Sequence, residues 1–230
     1  VLENKIIRMD KGTNMHEPEG VIKYQLKHTH QDLPQYIDIK GIIGWRSLLF
    51  DLNLIGQCNE KYDGFGYGNI SLRLKPEAHE FLISATQTGH LRHLNRNHFA
   101  IIEAASPQHN SICSKGPSQP SSEALTHASV YLHTPDANAV IHVHSPVLWQ
   151  HTAELNLPYI SPDIAYGTVE MAAAVSDLFA SGQLNQLPIF SMLGHEDGIV
   201  AFGESLTSAA MTLMTQLAKA LAIEQTEKDG

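Results

Sequence analysis

At 230 residues, with 43% apolar and only 17% charged side chains, the chain has core material for one sizeable domain and is not disordered by composition. A formal net charge of −9 excludes nucleic acid as a general partner, because a phosphate backbone requires clustered Lys and Arg, but leaves room for a small phosphorylated ligand that needs only a few donors. Two cysteines, Cys58 and Cys113, exclude a disulfide framework or a four-cysteine zinc site and fit a reducing, cytoplasmic setting; the lack of any apolar run of about 18 residues predicts no membrane span.

The opening VLENKIIRMDKG carries no secretory pattern and no initiating Met, so a trimmed start is expected. Residues 1–40 are polar and weakly patterned. They read as an arm that wraps the domain or a neighbouring subunit, ahead of a catalytic domain over 41–230. His28-Thr29-His30, inside the arm, reads as a solvated polar stretch rather than a metal site. From Gly41 onward Ile42, Ile43, Trp45, Leu48, Leu49, Leu52 and Ile55 recur near helical period, and Gly56 is the expected stop. GFGYG then leads into Ile70, Leu72 and Leu74 alternating with Ser71 and Arg73, a strand signal behind a Gly-rich turn. Phe81-Leu82-Ile83 is its hairpin partner and Ala100-Ile101-Ile102 a further strand. Residues 104–120, rich in Ser, Pro, Gln and Asn, read as a loop.

Ser121-Ser122-Glu123 opens a helix to about Thr134, with Ser at the cap and an acid in the first turn. Ala139 to His144 is a strand, a helix starts near Pro146, and 157–168 is a loop containing Pro and Tyr. Val169 to Ser181 is helical. Residues 188–192 and 198–201 are strands around the turn Gly194–Asp197, and Ser205 to Ile223 is a long helix rich in Ala and Leu. No internal repeat or composition break marks a second domain after residue 41. This mixture of hairpins and helices is not strict βαβ repetition and predicts a largely antiparallel central sheet with helices packed on it.

Histidine is the compositional outlier, with 14 in the chain. His142 and His144 stand two apart on a strand, so both imidazoles point to one face and can share an ion. Neutral imidazole is a common zinc ligand, and three protein ligands with an open position mark a catalytic site. A His-x-His pair on an apolar strand also serves purely structural roles, and spacing alone does not single out His195 in its turn. Glu123 has two readings as well: compensation of a helix dipole, or a fourth ligand or acid/base beside a metal.

Taken in order, Gly68-Asn69-Ile70-Ser71, Thr88-Gly89, Pro120-Ser121-Ser122-Glu123, Pro135-Asp136-Ala137-Asn138-Ala139-Val140-Ile141-His142-Val143-His144-Ser145 and Gly194-His195-Glu196-Asp197-Gly198 resemble the class II aldolase/adducin family. The family includes fuculose-phosphate aldolase, rhamnulose-phosphate aldolase and ribulose-phosphate 4-epimerase, and the resemblance covers about residues 41–223. It implies an α/β fold in three layers (α/β/α), a mostly antiparallel sheet with helices on both faces. It implies a divalent ion, zinc or another, on His142, His144 and His195, with Glu123 as acid/base residue and resting ligand. It assigns Gly68, Asn69, Thr88, Gly89, Ser121 and Ser122 to a pocket for a substrate phosphate. Backbone N–H groups and hydroxyls at a Gly-rich turn and a helix start bind phosphate without a large basic patch, which suits an acidic protein. A metal-stabilised enediolate and a homotetramer are implied too.

Departures from the family concentrate at the substrate end. The family's aldolase has a long loop with a catalytic tyrosine after the His-x-His strand; here that loop is the short LPYISPDIAYGT. Tyr159 and Tyr166 are candidates for the proton donor, with aromatic packing as the alternative role of each. His90, His93 and His98 lie near the expected phosphate side and read as surface or structural residues, with substrate contact as the alternative. Three functions follow as expectations: a zinc-dependent lyase (aldolase) on a small sugar phosphate; an epimerase, dehydratase or decarboxylase acting on a sugar phosphate or related sugar acid; or a non-catalytic adducin-like module.

Overall fold

The structure is a computed structural model that describes residues 21–228; residues 1–20, and with them half of the expected arm, lie outside the described residues. Its organisation is set by strands whose two faces are both apolar. In β8 (Ala139–His144) every residue is buried, yet alternate positions serve different cores. Ala139, Ile141 and Val143 join one cluster with Ile42, Leu49, Leu148 and Leu213. Val140 joins another with Leu125, Ala128, Met171 and Leu184. The same division holds in β11 (Gly198–Gly203), where Ile199 and Ala201 face the first core and Val200 and Phe202 the second. A strand apolar on both faces needs a helix layer on each. Helices α1 (Lys40–Asp51), α3 (Pro146–Gln150) and α6 (Leu206–Lys228) cover one face, and α2 (Ala124–His133), α4 (Val169–Ala180) and α5 (Gln183–Gln186) the other. The expected three-layer α/β/α arrangement is present.

The remaining strands are β1 (Gln25–His30), β2 (Gly56–Gln57), β3 (Gly66–Tyr67), β4 (Asn69–Arg73), β5 (Phe81–Ser84), β6 (Phe99–Ser106), β7 (Ser111–Gly116), β9 (Tyr159–Ile160) and β10 (Ile189–Met192). Among the described residues the main sheet has nine strands in the order β1-β7-β6-β5-β4-β8-β11-β10-β9, and β2 pairs with β3 apart from it. Its six inner pairings are antiparallel and only the two outermost, β1 with β7 and β9 with β10, are parallel. The predicted helices and the hairpin are found within a few residues of their expected ends.

Three local expectations are corrected. Residues 104–120 are not a loop: β6 runs to Ser106 and β7 follows, with a register shift between Ile102 and Ala104. In β7 Ile112, Ser114 and Gly116 are buried and Cys113 is exposed, so the two-residue alternation is carried by residues too small or polar to announce it. His28-Thr29-His30 is the end of β1, whose register sets His28 opposite Ser114. The His28 Nδ1 lies 2.9 Å from Ser114 Oγ, so part of the expected arm is an edge strand of the same sheet. The 157–168 loop includes β9, held parallel to β10. Helix α6 is long and apolar enough to cross a membrane by length and composition alone. Here Leu206, Ala209, Ala210 and Leu213 of that helix are buried in the first core.

Candidate functional site

Strand register assembles the centre of the site. The alternation that sends Val140 to the second core sends His142 and His144 to the same face, beneath α2 and α4. In β4 Asn69 stands directly opposite His142, and in β11 Gly198 stands opposite His144. The turn between β10 and β11 is tied by His195 N to Met192 O at 3.0 Å and Gly198 N to His195 O at 2.9 Å, with Asp197 in left-handed conformation (φ 62°). This turn brings the His195 ring to 5.4 Å from the His142 ring and 4.8 Å from that of His144, centroid to centroid.

Glu123 completes the group from the start of α2. The expected start, with Ser at the cap and Glu123 in the first turn, does not hold: Glu123 is itself the cap residue, and its side chain makes no capping hydrogen bond. Its backbone N–H instead donates to Ser121 Oγ at 3.3 Å. The carboxylate turns inward, and its Oε1 lies 3.0 Å from Nε2 of both His142 and His195. Ligand atoms of Glu123, His142, His144 and His195 all lie within 4.8 Å of one another, and all four residues are buried.

The chemistry of this donor set fits a divalent cation. His142 Nδ1 is 3.1 Å from the carbonyl of Ile199, which can only accept, so Nδ1 carries a proton and Nε2 of the neutral ring presents a lone pair. That lone pair faces a carboxylate oxygen, and both Glu123 oxygens are buried without a hydrogen-bond donor. Two acceptors at 3.0 Å need a cation between them, either a proton or a metal. Burial alone pushes the Glu123 carboxyl up; His142 and His195 outweigh it and hold the group well below the usual carboxylate range. Burial, reinforced by His195 and His142, holds His144 well below the usual imidazole value and so neutral, the form a metal requires.

Next to this group lies an open cleft of about 290 Å³ lined by Gly66, Gly68, Asn69, Ala85, Thr86, Gln87, Thr88, Gly89, Ser121 and Ser122. All six residues expected in the phosphate pocket are therefore together in one cleft. Gly68 adopts φ 73°, and a Cβ there would lie 2.8 Å from Ile55 and 3.1 Å from the His142 carbonyl. Gly89 has ordinary φ, but a Cβ would sit 2.2 Å from the Gly56 carbonyl, so only glycine lets this loop approach the β2–β3 ribbon.

The two tyrosines are treated unequally. Tyr166 is buried in the second core, its ring 4.6 Å from that of His195. Lys23 sits over the Tyr166 ring at 3.9 Å. On β9 the partner of Ile160 in alternation is Tyr159; Ile160 enters the second core, so Tyr159 points away from the histidines, 55% exposed. Of the other histidines, His98 Nδ1 accepts from Asn95 N in a capping box, His93 Nε2 lies 3.0 Å from Arg92 Nη1 at the surface, and His90 is exposed.

Several residues at the site carried no sequence signal of their own. Tyr62 packs edge-on against His144, with ring centroids 4.5 Å apart, and donates to Asp197 Oδ2 at 2.6 Å, where Lys61 also reaches at 3.3 Å. Burial, then that carboxylate, push the Tyr62 hydroxyl well above the usual phenol range. His127, one turn after Glu123, is fully buried with Nδ1 2.7 Å from Ser71 Oγ, which in turn lies 2.8 Å from the Tyr131 hydroxyl.

No curated protein matches the chain. Among solved structures, it is similar to YgbL from Klebsiella pneumoniae, named as a candidate aldolase, epimerase or decarboxylase, with 21% identity, TM-score 0.58, and coverage of 80% of this chain and 86% of that one. It is similar to L-fuculose-1-phosphate aldolase from Thermus thermophilus, with 22% identity, TM-score 0.58, and coverage of 81% and 92%. An aldolase II superfamily protein from Pseudomonas syringae gives 16% identity, TM-score 0.56, and coverage of 82% and 75%. At these identities the likeness concerns the fold. The sequence model of the class II aldolase and adducin N-terminal domain matches residues 57–224, most of the chain and every residue of the four-donor group, and the chain therefore belongs to the class II aldolase and adducin family.

Proposed function

We propose that the protein is a metal-dependent lyase, with zinc as the leading ion, that cleaves or forms a carbon–carbon bond in a small sugar phosphate. The observation that carries this reading is adjacency. Ser121 and Ser122 of the cleft precede Glu123 in the chain, and Asn69 of the cleft stands opposite His142 in the sheet. One small molecule can span both places.

In this reading Asn69, Thr88, Ser121 and Ser122, with the backbone at Gly68 and Gly89, hold the phosphate and fix the direction in which the rest of the substrate lies. His142, His144, His195 and Glu123 would hold the ion. When bound, the divalent ion supplies Lewis acidity, which stabilises negative charge developing on a substrate carbonyl oxygen. Glu123, ionised at neutral pH, takes the proton from the hydroxyl beside the bond that breaks. Tyr166, buried beside His195, is the better placed of the two tyrosines to return a proton. A homotetramer and a cytoplasmic setting belong to the same proposal; the free thiols of Cys58 and Cys113 suit a reducing compartment.

Metal analysis and a retro-aldol assay on a panel of sugar phosphates test the reading. Release of an aldehyde or of dihydroxyacetone phosphate, abolished by a chelator, is the expected result. Full activity of His142→Ala would overturn it. Epimerase, dehydratase or decarboxylase activity, including action on a sugar acid, would use the same stabilised carbanion, and product analysis on that panel separates these. The non-catalytic adducin-like alternative predicts no metal-dependent turnover of any substrate.

A further inference from the structure

The buried face of α1 contains a charged residue. Ile42 and Leu49 are fully buried there, and between them, on the same stripe, Arg46 is only 1% exposed. A guanidinium is seldom buried without a full set of acceptors. Arg46 finds them in one short loop. Its Nη2 donates to the carbonyls of Thr88 at 2.9 Å and Gly89 at 3.2 Å, and its Nη1 to that of Arg92 at 3.2 Å and to that of Leu91. The Phe50 ring lies 4.9 Å from the guanidinium carbon.

These contacts have a directional consequence. In a planar trans peptide the carbonyl of one residue and the N–H of the next point opposite ways. With the Thr88 and Gly89 carbonyls drawn to Arg46, the N–H groups of Gly89 and His90 point away from it. Thr88 and Gly89 line the cleft and Arg46 does not, so Arg46 stands behind the loop and those amides turn to its front. Successive N–H groups converging on one side form an anion-binding concavity. The four carbonyls are neutral and do not cancel the arginine's charge, so a buried positive charge backs the cleft at short range.

We propose that Arg46 is the positioning residue of the anion site. It holds the 88–92 loop with the Gly89 and His90 amides facing the cleft, and a phosphate dianion bound there is the counter-ion of its guanidinium. Arg46 precedes the span matched by the family model. This inference rests on the reading of the cleft as a phosphate site, and it adds the residue that shapes it.

The test is calorimetric titration of the wild-type chain, Arg46→Lys, Arg46→Gln and Ser122→Ala with inorganic phosphate at low salt, with urea unfolding of each. Wild type is expected to bind, Arg46→Gln to bind at least tenfold more weakly while still folded, and Arg46→Lys to fall between. A role confined to stability would lower the unfolding midpoint but leave the phosphate Kd within twofold, which overturns the proposal. Should both arginine variants fail to fold, amide NMR of the wild-type chain decides. Saturable movement of the Gly89 and His90 resonances on adding phosphate supports the proposal. Movement of other cleft residues with these two unmoved refutes it. Wild-type protein that binds no phosphate, like Ser122→Ala, would overturn the reading of the cleft itself and this inference with it.

Discussion

Lowering the pH from 7.5 to 5.0 with a chelator present is expected to cost the protein about 2 kcal/mol through His127 alone. The ring is fully buried beneath α2, and its Nδ1 is engaged by Ser71 while its Nε2 has no hydrogen-bond partner. Burial, the largest cause, with nearby His142 acting in the same direction and Glu123 opposing, lowers its pKa to about 3. In the unfolded chain the same group titrates near its ordinary value of about 6.5. The native ring therefore stays unprotonated at pH 5 while the unfolded ring takes up a proton. Stability from this source is complete above about 6.5 and is lost progressively as pH falls towards the folded value. A gap of about 1.5 pH units below the unfolded pKa, at about 1.4 kcal/mol per unit, gives the figure of about 2 kcal/mol. Urea unfolding of wild type and His127→Gln at both pH values, followed by circular dichroism, measures it. Gln keeps a polar partner for Ser71 and cannot titrate, so the drop between the two pH values should shrink by about 2 kcal/mol in the variant. His144 and the other acid-sensitive groups remain in both proteins and cancel. An equal drop in both would refute a neutral, buried His127.

His142→Ala and Glu123→Ala should each reduce bound metal at least tenfold by elemental analysis, since each removes one of four mutually adjacent donors; retained stoichiometry would place the ion elsewhere. Gly68→Ala forces a side chain into a left-handed conformation against Ile55 and the His142 carbonyl. It should destabilise the fold by about 2–3 kcal/mol, and a melting temperature unchanged within a degree would contradict that. Tyr166→Phe should lower turnover at least tenfold with metal content unchanged, whereas Tyr159→Phe, on the exposed side of β9, should stay within twofold; the reverse order would move the proton donor to Tyr159.

The parts of the fold that sequence revealed were those where apolar residues alone set the period. In β8 every second residue is Ala, Ile or Val, and the two histidines fall on the beat between them. Helix α6 and the β4–β5 hairpin were legible for the same reason. Strand β7 was not, because Ile112 is its lone buried apolar residue and its other inward positions are Ser and Gly. Strand β1 was missed because an edge strand with Lys27, His28 and His30 exposes most of its side chains and is held by backbone pairing across more than 80 residues. At the site, the four donors and the cleft residues sit in short local motifs. Arg46 was present as an anomaly, a charge on the apolar stripe of α1. Tyr62 and Lys61 lay in a polar turn whose path towards Asp197 depends on left-handed backbone at Tyr62 and Asp63, which no local pattern announces.

If the site holds an ion as proposed, the Glu123 carboxylate, shared by the Nε2 atoms of two imidazoles, would couple the protein's stability to cation supply. Without metal, that oxygen and those nitrogens are reconciled only by protons drawn from solvent, so loading the ion must expel protons and becomes easier as pH rises. Any ion that the native site binds and the unfolded chain does not adds stability by mass action, about 4 kcal/mol at a thousandfold excess over Kd. A shift of that size is a large fraction of the stability of an ordinary domain. An ion-free chain would then spend more time open to proteases than an ion-loaded one.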